Sequence, residues 1–151
     1  MKECIFCKII EGAIPSVKIW EDKTHVAILG NHPNTEGMTL VLTKKHYDSY
    51  AFDMPEKAYS DLMNASRKVA KLLEKGLKVQ RVGMIMEGMG INHIHIKLYP
   101  MHGLKDKFTE MWAPQEVFFE KYEGYLTTEE GQEWSIEQRQ KVAEEIKKNL
   151  K

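Results

Sequence analysis

Ile91-Asn92-His93-Ile94-His95-Ile96-Lys97-Leu98-Tyr99-Pro100 decides the reading of this chain. Taken as a β-strand, its successive side chains point to opposite faces. One face carries His93, His95, Lys97 and Tyr99, and the other carries Asn92, Ile94, Ile96 and Leu98. The second face predicts a packed apolar layer. The first is a row of nitrogen bases and a cation, with its two histidines roughly 6.5 Å apart, two strand rises of about 3.3 Å. That spacing lets them share a site without hydrogen-bonding to each other.

Working outward, Gly88-Met89-Gly90 precedes this strand and Arg81–Glu87 reads as another, so the two form an antiparallel hairpin. Before them lies the clearest helix. Asp53 and Glu56 have capping-box spacing with Pro55 in the first turn, and Tyr59, Leu62, Met63, Ala70 and Leu73 recur at helical spacing up to a C-cap at Gly76. Val17–Trp20, His25–Leu29 and Met38–Thr43 read as three further strands, with a turn at Glu21-Asp22-Lys23 and a loop at Gly30–Gly37. Cys4–Ile10 is a short apolar turn plus helix ended by Gly12 and Pro15. Residues 101–134 are irregular and aromatic, and Ser135 with Gln138 predicts the cap of a last helix bearing Val142, Ile146 and Leu150. The fold class is α+β: a mainly antiparallel sheet, one long helix after the third strand, and a C-terminal extension.

The 151 residues suit a single domain, 1–151, with a sizeable core. Lys+Arg and Asp+Glu are 22 each. Nothing in this balance argues for a nucleic-acid partner or a membrane surface. The apolar runs are too short to span a bilayer, and Met1–Cys4 lacks the apolar stretch of a signal peptide, which points to the cytoplasm.

Two constellations carry chemistry. Cys4-x-x-Cys7 can chelate one metal ion from a tight turn, with further ligands drawn from His25, His32, His46, His93, His95 and His102. A redox pair and two buried free thiols are the competing readings. In the His-x-His row, a neutral, oriented imidazole is a natural nucleophile for phosphorus. Lys97 would neutralise a phosphate oxygen, and the Gly88–Gly90 turn would bring amides close to an anion. The alternative is an ordinary polar strand face.

His93-Ile94-His95-Ile96-Lys97-Leu98-Tyr99-Pro100 resembles the histidine-triad (HIT) signature, in which histidines alternate with apolar residues. Cys4-Ile5-Phe6-Cys7-Lys8-Ile9-Ile10-Glu11-Gly12 and Gly37-x-Thr39-Leu40-Val41-Leu42-x-Lys44-Lys45-His46 are similar to two other blocks of bacterial and archaeal members, in the same order. The resemblance covers about residues 3–103 and leaves 104–151 as the extension. It implies a five-stranded antiparallel sheet that joins a second subunit into a homodimer. The activity it implies is a nucleotide hydrolase or nucleotidyl transferase, acting on dinucleoside polyphosphates or adenosine phosphoramidates. It assigns His95 as the nucleophile that forms a nucleotidyl-histidine. It assigns a structural zinc to Cys4, Cys7, His46 and His93, and an apolar base-binding wall to Phe6 and Ile9.

The departures are local. Lys97 replaces the third triad histidine. Gly88-Met89-Gly90 stands where members carry Gly-Gln-Ser/Thr, so the amides of Gly88 and Gly90, or His102, would have to serve the phosphate. Gly30 stands where an Asp holds the ribose, with Asn31 beside it as a substitute. Two functions compete on these residues: an enzyme using His95 and Lys97, and a nucleotide-binding module that keeps the fold and zinc but has lost turnover.

Overall fold

The computed structural model describes residues 4–127, together with 132, 133, 135 and 138. The chain divides into two compact units, Met1–Thr109 and Glu110–Lys151. The first unit holds all the regular elements named here.

Helix α1 covers Ile5–Ile10, and strands β1 Lys18–Glu21, β2 His25–Leu29 and β3 Thr39–Thr43 follow. A 3-10 turn at Ala51–Asp53 leads into helix α2, Glu56–Leu77, and strands β4 Val82–Ile85 and β5 His95–Pro100 complete the unit. The five strands form one sheet in the order β1-β2-β3-β5-β4, with every neighbouring pair antiparallel. This is the expected α+β architecture.

Strand alternation sorts the sheet into two faces. Ala27, Val41, Ile96 and Leu98 pack with Leu62, Ala65, Val69 and Leu73 of α2, so the long helix covers one face. Val26, Ile28 and Leu42 pack with Phe6 of α1 on the other. The central strands β2, β3 and β5 therefore bury both odd and even residues.

Three local expectations are corrected. Pro55, not Asp53, is the N-cap of α2, and no side chain caps that end; the Asp53 amide instead bonds the Tyr50 carbonyl inside the 3-10 turn. Gly76 does not stop the helix. It continues through Leu77, which packs on the core, and ends at Lys78 in the left-handed region (φ 55°), where the amides of Lys78 and Val79 both return to the Glu74 carbonyl.

The third correction concerns the hairpin. The β4–β5 pairing is antiparallel as expected, with Ile85 opposite Lys97. However, the strands are joined by the longer connection 86–94 rather than a tight glycine turn. That connection is held against residues 47–49. The Ile94 amide bonds the Tyr47 carbonyl, Asn92 Oδ1 accepts the Ser49 amide, and Asn92 Nδ2 donates to Asp48. His93 therefore lies just before the strand instead of within it.

In the second unit, Phe118, Tyr122 and Tyr125 are exposed, and Phe119 and Tyr125 meet edge to face. Ser135 and Gln138 exchange the two reciprocal bonds of a capping box. Trp134, Val142, Ile146 and Leu150 lie outside the described residues. Among the described residues no helix is long and apolar enough to cross a membrane.

Candidate functional site

The site forms where α1, the segment after β3 and the start of β5 meet. Helix α1 places Cys4 at its N-cap and Cys7 one turn on. His46 follows β3, and His93 ends the β4–β5 connection. One ligand atom from each of Cys4, Cys7, His46 and His93 lies within 4.8 Å of the others. Cys4 Sγ is 3.5 Å and Cys7 Sγ 3.6 Å from His93 Nδ1, and Cys7 Sγ is 3.4 Å from His46 Nδ1. A tetrahedral ion with zinc-like bond lengths separates its sulfur and nitrogen ligands by roughly 3.5 Å. The four side chains thus match the spacing such an ion requires.

The hydrogen-bond partners agree with that use. His93 Nε2 donates to the Thr43 carbonyl at 2.8 Å, so its proton sits on Nε2 and the Nδ1 lone pair faces the thiols. Burial lowers the His93 pKa, helped by neighbouring His46 and His95, against the Thr43 carbonyl, which raises it. The ring is therefore neutral, the form that binds metal. Asp48 Oδ1 lies 3.6 Å from His46 Nε2 and is held by Asn92. In the absence of metal, burial and the neighbouring Cys4 push the Cys7 thiol up.

His95 opens β5 and is buried. Its Nδ1 donates to the His93 carbonyl at 2.7 Å, which leaves Nε2 with the lone pair. Burial is the main reason its pKa is lowered, and Lys97 lowers it further; the His93 carbonyl and Glu87 act in the opposite sense. The ring is a neutral base at pH 7 with a defined tautomer. Phe6 stands edge-on to both His93 (5.8 Å between ring centres) and His95 (5.1 Å), so the two histidines share one side of the sheet although His93 precedes the strand.

Lys97 follows on the same face. Its Nζ donates to Glu87 Oε2 at 2.9 Å, while Glu87 Oε1 accepts the Met89 amide at 2.7 Å. The sequence reading gives Glu87 no part in the site, nor Thr43, Asp48 or Asn92. The only signal for Glu87 would have been the β4–β5 register. Gly88 has φ 77°, and a Cβ there would lie 2.6 Å from the Ser49 carbonyl oxygen. This glycine is needed for a close approach of two backbones.

The remaining candidates are dispersed. Ile9 is half-buried against the Phe6 cluster. Asn31 is exposed in the β2–β3 loop, and Gly90 is exposed with open space around its Cα. A Cβ on Gly30 would collide with the Met38 side chain. His102 donates to the Glu36 carbonyl at 2.9 Å. His25 lies on the α2 side of the sheet with Asp22 and Thr24.

Four known families, proteins or structures are similar to the chain. The family model described as "HIT domain" matches residues 11–103. Adenosine 5'-monophosphoramidase of Saccharomyces cerevisiae is 32% identical over 123 residues, which cover 78% of this chain and 75% of that protein. A crystal structure from Streptococcus mutans UA159 superposes with a TM-score of 0.71 at 28% identity, covering 100% of this chain and 87% of the other. A zinc-bound histidine triad family protein from Mycobacterium smegmatis superposes with a TM-score of 0.60 at 26% identity, covering 76% and 85%.

Proposed function

Because the chain belongs to the HIT-domain family, we propose that it is a nucleotide hydrolase or nucleotidyl transferase that works at an α-phosphate through a covalent nucleotidyl-histidine on His95. The observation that carries this reading is the 2.7 Å bond from His95 Nδ1 to the His93 carbonyl. It fixes the tautomer with the lone pair on Nε2, and burial keeps the ring neutral. An oriented, uncharged imidazole is a nucleophile without prior loss of a proton. Phe6 and Ile9 supply an apolar wall for the base, and Asn31 and Gly90 belong to exposed loops accessible to the rest of the nucleotide.

The Cys4, Cys7, His46 and His93 set fits zinc. With four protein ligands there is no open position, so the ion's contribution is structural. The chain's own part is to hold His93, whose carbonyl orients His95. A homodimer in the cytoplasm completes the proposal, and a monomer in sedimentation would contradict the dimer.

The test is to incubate the protein with adenosine polyphosphates and phosphoramidates, quench, and look for a nucleotidyl adduct by mass spectrometry. The adduct is expected on His95 and absent from His95→Ala. No adduct and no turnover above that control would refute the enzyme reading. The competing reading, a nucleotide-binding module, is favoured by one observation: Glu87 already engages both the Met89 amide and Lys97. Calorimetric binding of nucleotide with no product would support it.

A further inference from the structure

Among the described residues, the Lys97–Glu87 pair is the charged contact that adjoins the His95 ring on its own strand face. Glu87 reaches it from two residues beyond the end of β4, because Ile85 pairs with Lys97 and the second residue along returns to the same face. Its carboxylate is a two-pronged clamp, with one oxygen on the Met89 amide and the other on the ammonium. The carboxylate side chain is 10% exposed and the lysine 28%. Removing such a pair from water costs free energy that its own attraction does not reliably return. An ammonium has three protons to donate. Glu87 takes one, so two remain for a ligand on the His95 face.

We propose that Lys97, held in place by Glu87, selects substrates whose leaving group departs from the α-phosphorus as a phosphate oxyanion, and disfavours phosphoramidates, whose leaving nitrogen needs a proton. This rests on the nucleotidyl-histidine reading above. In the first step the Nε2 lone pair of His95 bonds to phosphorus. With a polyphosphate, the bridging P–O bond breaks and its electron pair leaves on an oxygen already stabilised as a phosphate anion. That oxygen needs a nearby positive charge, which Lys97 supplies, and no proton. With a phosphoramidate, the P–N bond breaks and the nitrogen must take up a proton to leave as an amine. In the second step a water oxygen bonds to phosphorus, the P–Nε2 pair returns to His95, and the water's proton is released to solvent.

The two side-chain types differ in the second task. A general acid works best with a pKa near the working pH. Imidazolium has an ordinary value of about 6.5 and a lysine ammonium about 10.4. An ammonium is thus the better fixed charge and an imidazolium the better proton donor. Lys97 is the specificity group, and Glu87 is a positioning residue that acts through it.

The experiment compares kcat/KM of the zinc-loaded, full-length protein on diadenosine tetraphosphate and on adenosine 5'-phosphoramidate. The wild type is expected to favour the tetraphosphate by about tenfold or more. Lys97→His should shift that ratio toward the phosphoramidate by about tenfold, and Lys97→Arg should keep the original order. Glu87→Gln can still accept the Met89 amide; it should lower kcat on the tetraphosphate about tenfold with a smaller change in KM. A wild type that prefers the phosphoramidate overturns the proposal, as does an unchanged ratio in Lys97→His with a wild-type melting curve. Should Lys97→His fail to fold, an unchanged kcat in Glu87→Gln overturns it instead. The two levels separate through the His95 adduct. An adduct from both substrates without preference refutes this inference alone, whereas no adduct from either refutes the parent reading as well.

Discussion

At the scale of single residues, two backbone carbonyls govern the site. The Thr43 carbonyl fixes the His93 ring, and the His93 carbonyl fixes the His95 ring. His93 therefore faces the thiols with its side chain and orients the His95 ring with its main chain. This separates the consequence of losing the His95 ring from that of losing His93. His95→Ala removes only the proposed nucleophile, so turnover should fall by at least about 10³ while metal content and melting temperature stay near wild type. Steady-state kinetics beside metal analysis checks this. Loss of metal in His95→Ala would mean that His95, not His93, helps hold the ion. The proposed metal ligand and the proposed nucleophile are two residues apart, and the direction of each ring tells them apart.

At the scale of elements, two connections carry more than their length suggests. In the β1–β2 turn, burial raises the Asp22 carboxyl pKa, but bonds from the Thr24 and His25 amides (2.8 and 2.7 Å) outweigh it, so the pKa is lowered overall. A lowered native pKa contributes stability above the unfolded value, which is lost as pH falls through the native one. Urea unfolding between pH 6 and 2, expected ranges set by ordinary carboxylates near 3.9, should show Asp22→Asn losing stability relative to wild type at the neutral end and converging with it at the acid end. A constant difference across that range would contradict the assignment. In the β4–β5 connection, Gly88→Ala places a methyl against the Ser49 carbonyl at φ 77°. It should cost about 1–3 kcal/mol and, by displacing Glu87, reduce turnover. Denaturant melts with kinetics on the same preparation measure both effects.

At the scale of the whole molecule, Cys4 and Cys7 bring α1 onto His93, a residue 89 positions after Cys4. The short helix α1 fully buries Phe6 alone, with Ile9 and Ile10 half-buried beside it. Its place over His95 therefore depends on the Cys/His cluster. Chelation, or Cys4→Ser, should lower the melting temperature by about 10 °C, since a ligand bound only to the native state adds directly to stability. It should also reduce turnover, because Phe6 and His93 both lose their anchor. Calorimetry with and without a chelator decides this, and an unchanged melting curve would contradict a structural metal.

The two faces of β5, the order of elements and the cysteine pair follow from the sequence alone, because period-two alternation and ligand spacing are local properties. Ile96 and Leu98 had to enter a core, and they pack under α2. The long 86–94 connection does not follow, because tertiary bonds to residues 47–49 decide it; the helix ends at Pro55 and Lys78 do not follow either, because backbone bonds to Tyr50 and Glu74 set them rather than the side-chain signals at Asp53 and Gly76. The site divides in the same way. The presence of His93, His95 and Lys97 in one row was legible in the order of residues. Which ring nitrogen faces the thiols, which lone pair stays bare, and that Glu87 holds Lys97 are decided only by the tertiary structure. The first and the last depend on the Thr43 carbonyl and the Glu87 carboxylate, which the strand register brings in from other segments, and the second on the backbone path through His93, which the Ile94–Tyr47 bond sets.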